Sequence, residues 1–205
     1  MPRTPTRRRL YIVCISLLLS FVFYLFPNEV TLSKQHSQNT APIQESVYIK
    51  RVIDGDTFLL SNGEKVRLTG IDTPESRINE KTQRDSVRSG KDLKTITSQG
   101  KEATKFVRKL VEGKKIRIEY DVQKRDRYGR LLIYAYDINT LKENPQIRLS
   151  DGIVVSANRE IFLNGSIIGS GYAVPMTVPP NVRHAEFFKK LYSEARAERR
   201  GLWAN

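Results

Sequence analysis

Cysteine is almost absent from this chain of 205 residues, and the single one, Cys14, lies in an apolar stretch. An intrachain disulfide and a cysteine-built zinc site are both excluded, so stability comes from packing, helped by a ligand where one binds. Histidine is nearly as scarce. His36 and His184 have no second His or Cys at ligand spacing, which leaves zinc binding and histidine acid–base catalysis without a framework, and both read as surface positions. Ser61, Ser98 and Ser193 lack any nucleophile context, which discounts a serine hydrolase. No internal repeat is present, and 23.6 kDa suits one compact domain with appendages rather than a multidomain machine. Acidic residues are the minority, 22 against 35 Lys and Arg, for a formal charge of +13. That balance excludes an acidic solvating protein and favours polyanionic partners such as nucleic acid or acidic lipid.

The basic residues are not evenly spread. Arg3, Arg7, Arg8 and Arg9 precede an uncharged run of 17 residues, Leu10 to Phe26. As a helix this run would extend roughly 25 Å, close to the lower limit for a membrane span and long for a signal-peptide core. A signal anchor and a cleaved signal peptide are both open on length. No small-x-small cleavage pattern closely follows Phe26, which favours the anchor. The arginines should stay in the cytoplasm, making the rest extracytoplasmic, tethered to the membrane through residues 10–26 or secreted after cleavage. Residues 27–46 are polar, with two prolines, and have the composition of a linker. The folded domain is expected over 47–205. Without the first 26 residues the chain keeps 31 basic and 22 acidic residues, so the exported part is still +9.

Val47 to Ile71 predicts a three-strand meander: Val47–Ile53, Thr57–Leu60 and Lys65–Ile71, turning at Asp54-Gly55-Asp56 and at Ser61-Asn62-Gly63-Glu64. Residues 76–97 are polar and rich in Lys, Arg, Ser and Thr, and predict a mobile surface loop. Ser98 is placed to cap a helix whose Ala103, Phe106, Val107, Leu110 and Val111 share one face, with Gly113 ending it. Two further strands follow, Ile116–Tyr120 and Leu131–Tyr136. Short strands are expected around 147–149, 153–156 and 160–163. Arg183–Arg200 predicts a final helix with Phe187, Phe188, Leu191, Tyr192 and Ala195 on its buried side. The fold class expected is α+β, mainly β: a five-stranded OB-type barrel with packed helices, preceded by an N-terminal hydrophobic helix.

Four carboxylates gather at strand ends, Asp54 and Asp56 around Gly55, and Asp72 and Glu75 in Ile71-Asp72-Thr73-Pro74-Glu75. If the meander pairs as drawn, Asp56 and Asp72 meet across the sheet, and two such carboxylates repel unless a cation lies between them. Oxygen ligands without His or Cys select Ca²⁺ or Mg²⁺ over Zn²⁺, with a carbonyl such as that of Thr73 completing the shell, and Ca²⁺ is the better match. Each motif alone is also an ordinary turn sequence; their conjunction is what points to a site. Arg67, on a polar strand face, and Arg130, closing Asp126-Arg127-Tyr128-Gly129-Arg130, read equally as solvated charges or as guanidinium forks able to hold phosphate oxygens.

Val52-Ile53-Asp54-Gly55-Asp56-Thr57, then Val66-Arg67-Leu68-Thr69-Gly70-Ile71-Asp72-Thr73-Pro74-Glu75, then Asp126-Arg127-Tyr128-Gly129-Arg130 resemble, in order, the three signature blocks of the staphylococcal nuclease (thermonuclease) family. The similarity runs from about Tyr48 to Trp203. It implies an OB-fold, Ca²⁺-dependent phosphodiesterase acting on DNA and RNA, leaving 3′-phosphate and 5′-hydroxyl ends. By the same resemblance Asp56, Asp72 and the Thr73 carbonyl are metal ligands, and Asp54 is a nearby acid that shapes the site. Glu75 orients or deprotonates the attacking water, and Arg67 and Arg130 grip the scissile phosphate. Tyr128, with Arg127 beside it, lines the nucleotide pocket.

The sequence departs from the familiar pattern in a long segment after Glu75, in an expanded stretch over 139–168, and in Val174–Asn181, where the pocket tyrosines of well-known members are lacking. A noncatalytic nucleic-acid-binding OB module is the alternative, and retention of Asp56, Asp72, Glu75, Arg67 and Arg130 argues against it. A membrane-surface adaptor would leave the acidic cluster unexplained, and no protein partner is expected.

Overall fold

The computed structural model describes residues 46–145 and 149–204. The expected N-terminal hydrophobic helix, all of the linker but Ser46, His36 and most of the expected strand at 147–149 lie outside the described residues. Among the described residues no helix is long and apolar enough to cross a membrane.

The described residues open with β1 (Ser46–Asp54), β2 (Thr57–Leu60) and β3 (Lys65–Leu68). Asp54 and Asp56 flank the first turn, and the second, at Asn62-Gly63, has Gly63 at φ 87°. Register shifts in β1 between Ile49 and Arg51 and between Val52 and Asp54 bend the strand. Its second half pairs with β2 while its first half pairs with β5 (Lys115–Glu119). β5 pairs antiparallel with β6 (Leu131–Asp137), and the first residues of β6 run parallel to β3, Val66 opposite Leu131 and Leu68 opposite Ile133. That last pairing closes five strands into a barrel, as expected of an OB fold.

The barrel interior is filled by Phe58, Leu60, Val66, Leu68, Ile116 and Ile133, all essentially without solvent exposure. The third strand does not run unbroken to Ile71. Gly70, at φ 81°, turns the chain out of the barrel in a conformation that a Cβ disfavours. Ile71–Asp72 then form a separate strand, β4, paired with β8 (Val174–Pro175).

The segment expected as a loop over 76–97 is helical. It contains α1 (Glu80–Ser89), and a second helix, α2 (Leu93–Val111), begins before the segment ends. The α1 helix shows no apolar period because it buries only Thr82; it is held by its ends. Asn79 accepts from Thr82 N at 2.9 Å and Thr82 Oγ1 accepts from Asn79 N at 3.3 Å, a reciprocal cap, and Gly90 closes the other end. Ser98 is accordingly not the cap of α2. Asp92 is, accepting from Thr95 N at 2.9 Å. The rest of the expected helix is present: Ala103, Val107 and Val111 are buried against the barrel, with Phe106 and Leu110 half-buried beside them. Gly100 brings α2 against the chain after β4, for a Cβ there would lie 2.1 Å from the Glu75 carbonyl oxygen.

Beyond β6 come α3 (Thr140–Glu143), β7 (Ile161–Phe162) and α4 (Leu163–Gly169). No strand forms over 153–156, where Val155 makes only an isolated bridge to Ile161. The strand expected over 160–163 stops at Phe162 because α4 begins. Every residue of α4 is buried, so the helix has no polar face and gives no amphipathic signal. Its Asn164 donates to Thr69 O (2.9 Å) and Ile133 O (3.2 Å) and accepts from Ala135 N (3.0 Å), pinning α4 to the seam between β3 and β6. The last helix, α5 (Ala185–Ala197), is shorter than expected and buries Phe188, Leu191 and Ala195, while Phe187 is exposed. His184, just before it, is no surface residue: its ring packs edge-on to Tyr134 at 4.5 Å and beside Phe162 at 5.1 Å, with Nε2 buried.

Candidate active site

Asp56 and Asp72 do come together, by a different route from the expected one. Opposite β3 the register pairs Thr57 with Arg67, and Asp72 has left that sheet for β4. The link is made by Thr73 and Arg67. Thr73 donates its N–H (3.0 Å) and its hydroxyl (3.1 Å) to Asp56 Oδ2. Arg67 places Nη1 against Asp56 Oδ2 and donates from Nη2 to Asp72 Oδ1 at 2.8 Å. Burial pushes the Arg67 guanidinium below its ordinary pKa; Asp72 opposes the shift and the nearby charge of Arg130 adds to it.

Glu75 follows on the segment that Gly100 lets pack against α2. Its Oε2 accepts from Asn79 Nδ2 at 2.8 Å and its Oε1 from Lys81 Nζ at 2.8 Å. Burial acts to raise its pKa, but the hydrogen bond and charge of Lys81 and the Asn79 amide outweigh burial and hold the carboxyl below the usual range. Lys81 Nζ also donates to Asp72 Oδ1 at 2.9 Å and to Thr73 O at 3.2 Å. Burial works against its charge, and Asp72 and Glu75 overcome it, leaving the ammonium above its ordinary value. Nothing in the sequence singled Lys81 out, since it is one lysine in a charged stretch and acts through a helix the hydrophobic pattern did not reveal.

Among the described residues no three of His, Cys, Asp and Glu converge on one point. The convergence seen is of two carboxylates and a carbonyl around one ammonium nitrogen, and those hard oxygen donors fit Ca²⁺ or Mg²⁺ chemically. Asp54 stands apart from them. Its Oδ1 accepts from Gly55 N and from Thr104 Oγ1, both at 2.9 Å, tying the first turn to α2.

The second arginine lies on the other side of Arg67. Asp126 holds Arg130 through Nε at 2.7 Å and also accepts from the backbone N–H groups of Tyr128 (2.9 Å) and Arg130 (3.0 Å). Arg130 Nη1 reaches Thr57 Oγ1 at 3.4 Å, and Thr57 Oγ1 donates to Asp56 Oδ1 at 3.0 Å. Tyr128 is largely exposed, with the guanidinium groups of Arg127 and Arg130 4.8 and 5.5 Å from its ring centroid. A cavity of about 480 Å³ is lined by Arg67, Tyr128, Arg130, Met176, Val178 and Asn181, among others. Met176 and Val178 lie where the sequence lacked aromatics, and their apolar side chains leave Tyr128 as the ring at this cavity. The arrangement is a basic, partly apolar cleft beside an acidic cluster, with Arg67 belonging to both.

Residues 65–205 match the family model described as Staphylococcal nuclease homologue. The thermonuclease of Staphylococcus intermedius is 30% identical over 162 residues, covering 78% of this chain and 76% of that protein. The thermonuclease of Staphylococcus hyicus is 27% identical over 165 residues, 79% of this chain and 78% of the relative. Endonuclease YncB of Bacillus subtilis is 28% identical over 173 residues, 82% of this chain and 66% of the relative.

Proposed function

The chain belongs to the staphylococcal nuclease homologue family, and from that premise we propose that it is a Ca²⁺-dependent phosphodiesterase that hydrolyses DNA and RNA. The observation that carries this reading is the single cluster in which Asp72 Oδ1, Thr73 O and Glu75 Oε1 surround one cationic centre while Arg67 extends from it to the basic cleft. Asp56, Asp72 and the Thr73 carbonyl would hold the metal. The mixed carboxylate and carbonyl set favours the adaptable coordination of Ca²⁺ over the stricter octahedron of Mg²⁺. Bound there, Ca²⁺ supplies neutralisation of the acidic cluster and polarisation of a phosphate oxygen.

The protein's own groups do the rest. Arg67 and Arg130 grip the scissile phosphate from either side of the seam between β3 and β6, and their charge counts most when phosphorus carries an extra negative charge in the transition state. Glu75, kept ionised, accepts a hydrogen bond from the attacking water and orients it in line with the departing oxygen. Water oxygen bonds to phosphorus as the P–O bond to the leaving 5′ oxygen breaks; the attacking water gives up a proton to Glu75 or to solvent and the departing 5′ oxygen takes one from solvent, giving 5′-hydroxyl and 3′-phosphate ends. No covalent enzyme intermediate is needed. Tyr128 and Arg127 at the cleft mouth contact the nucleotide. The +9 of residues 27–205 draws polyanions to the cleft. The basic and uncharged N-terminal segments support an extracytoplasmic setting, anchored or secreted.

The test is digestion of single-stranded DNA, double-stranded DNA and RNA with Ca²⁺, with Mg²⁺ and with a Ca²⁺ chelator. Cleavage that needs Ca²⁺ and stops with chelator is expected. Nucleic-acid binding without cleavage under any condition would replace this reading with a noncatalytic OB module.

A further inference from the structure

Lys81 carries a charge that the phosphodiester chemistry does not use. Its ammonium sits at the one point where Asp72 Oδ1, Thr73 O and Glu75 Oε1 converge, at 2.9, 3.2 and 2.8 Å. Local helix electrostatics do not account for this position. Lys81 lies in the first turn of α1, where the positive end of the helix dipole disfavours a cation, and the three oxygens are what hold it there. With Arg67, Lys81 sets two positive charges against the three carboxylates of Asp56, Asp72 and Glu75, leaving the cluster one negative charge.

We propose that Lys81 is a built-in competitor for the divalent cation: its ammonium takes the cation's place in the ligand cluster, and loading requires Lys81 to withdraw. This rests on the metal-site reading above. Two ligands attributed to the metal, Asp72 and the Thr73 carbonyl, are the acceptors of Lys81. Ca²⁺ requires its oxygens at about 2.3–2.6 Å, closer than they stand around the ammonium, so both cations cannot occupy the centre. Lys81 has two effects there. It keeps the carboxylates gathered without metal, and it sets a threshold concentration below which the site stays closed by its own side chain. The arm is attached to α1, whose start is fixed by the Asn79 cap, and Asn79 also bonds Glu75. Lys81 therefore leaves by rotating its side chain, with Glu75 still held by Asn79.

The experiment is Ca²⁺ binding by isothermal titration calorimetry on the full chain, compared for wild type, Lys81→Met and, as a second variant retaining a polar side chain, Lys81→Gln, each checked for a cooperative thermal transition. Both variants should bind Ca²⁺ at least about tenfold more tightly, a change of about 1.4 kcal/mol or more on losing the competing ammonium. Their metal-free transitions should fall below that of wild type and rise more on Ca²⁺ addition. In wild type, Ca²⁺ should speed acetylation of the Lys81 amine by acetic anhydride, read by peptide mass spectrometry. Unchanged or weaker Ca²⁺ affinity in the variants, with wild type binding normally, or slower acetylation of Lys81 in Ca²⁺, would overturn the competition alone. Absence of Ca²⁺ binding in wild type and in both variants would overturn the metal-site reading and this proposal with it.

Discussion

Thr73 directs both of its donors, the backbone N–H at 3.0 Å and the hydroxyl at 3.1 Å, onto a single oxygen of Asp56. A carboxylate on the β1–β2 turn and a carbonyl following β4 thereby become one rigid unit, although Gly70 has turned β4 out of the barrel sheet. Thr73→Val keeps the shape and removes the hydroxyl. Hydrogen bonds to charged groups contribute about 1.5–3 kcal/mol, so urea unfolding should register a loss of that order and Ca²⁺ affinity should fall. A variant as stable and as tight-binding as wild type would mean the hydroxyl does not fix Asp56.

Arg130→Ala should lower kcat by about a hundredfold, corresponding to roughly 3 kcal/mol of transition-state stabilisation, with little change in Tm. The loop keeps its shape because Asp126 still accepts from the backbone of Tyr128 and of residue 130. Near-normal turnover would remove Arg130 from the phosphate clamp.

Arg67→Ala should lose activity to a similar degree and differ in its stability. Asp56 is buried and loses its arginine partner, and unpartnered buried charge is strongly destabilising. Thermal unfolding without metal should show a depressed Tm, and added Ca²⁺ should recover most of it. A Tm unaffected by Ca²⁺ would argue that Arg67 and the metal do not serve the same carboxylates.

Asn164→Ala removes the side chain that pins α4 to the closing seam. Thr69 O and Ala135 N lose the side-chain partner, while Ile133 O keeps the Thr69 N–H at 2.9 Å, and a loss of roughly 3 kcal/mol in unfolding free energy is expected at about 1–3 kcal/mol for each buried group left unsatisfied. Chemical denaturation of the metal-free protein gives the figure directly, and a loss below 1 kcal/mol would show that the seam holds without it.

His184 links stability to pH. Burial among aromatics lowers its pKa from the ordinary 6.5, helped by Arg183 and opposed by Glu119 and Asp121. The folded state therefore holds the ring neutral while the unfolded chain takes up a proton, so stability is full above 6.5 and falls as pH drops from 6.5 toward the lowered folded value. The slope can reach at most about 1.4 kcal/mol per pH unit. His184→Phe should flatten that part of the curve, and an equal slope in both proteins would assign it to other groups.

What the sequence revealed and what it concealed follow from how each element is held. β1 to β3 were legible because Asp54-Gly55-Asp56 and Asn62-Gly63 punctuate them, and α2 because Ala103, Val107 and Val111 repeat at helical spacing. The α1 helix buries almost nothing and α4 buries everything, so neither presents the two-faced pattern by which a helix is recognised. The carboxylates and arginines were legible as residue types at turn positions and through the family resemblance. Their junction was not: Asp56 reaches Asp72 through Arg67 and Thr73 only because Gly70 breaks a strand that reads as continuous. Lys81 was hidden twice over, by the abundance of lysine and by the polarity of the helix that presents it.

The parallel pairing of β3 with β6 joins residues some 65 positions apart in the chain, Val66 to Leu131. Contacts of such sequence separation carry a large loop-closure penalty and form late relative to local hairpins. Arg67 lies within this seam and Arg130 immediately before it, and the cavity they share with Met176 and Val178 exists only once the seam is shut. The β1–β3 meander can form with its acidic turns in place and still lack the cleft that Arg67 and Arg130 line together. A chain that has yet to finish folding therefore carries Arg67 and Arg130 in two separated pieces, and the topology withholds the cleft between them until β3 meets β6.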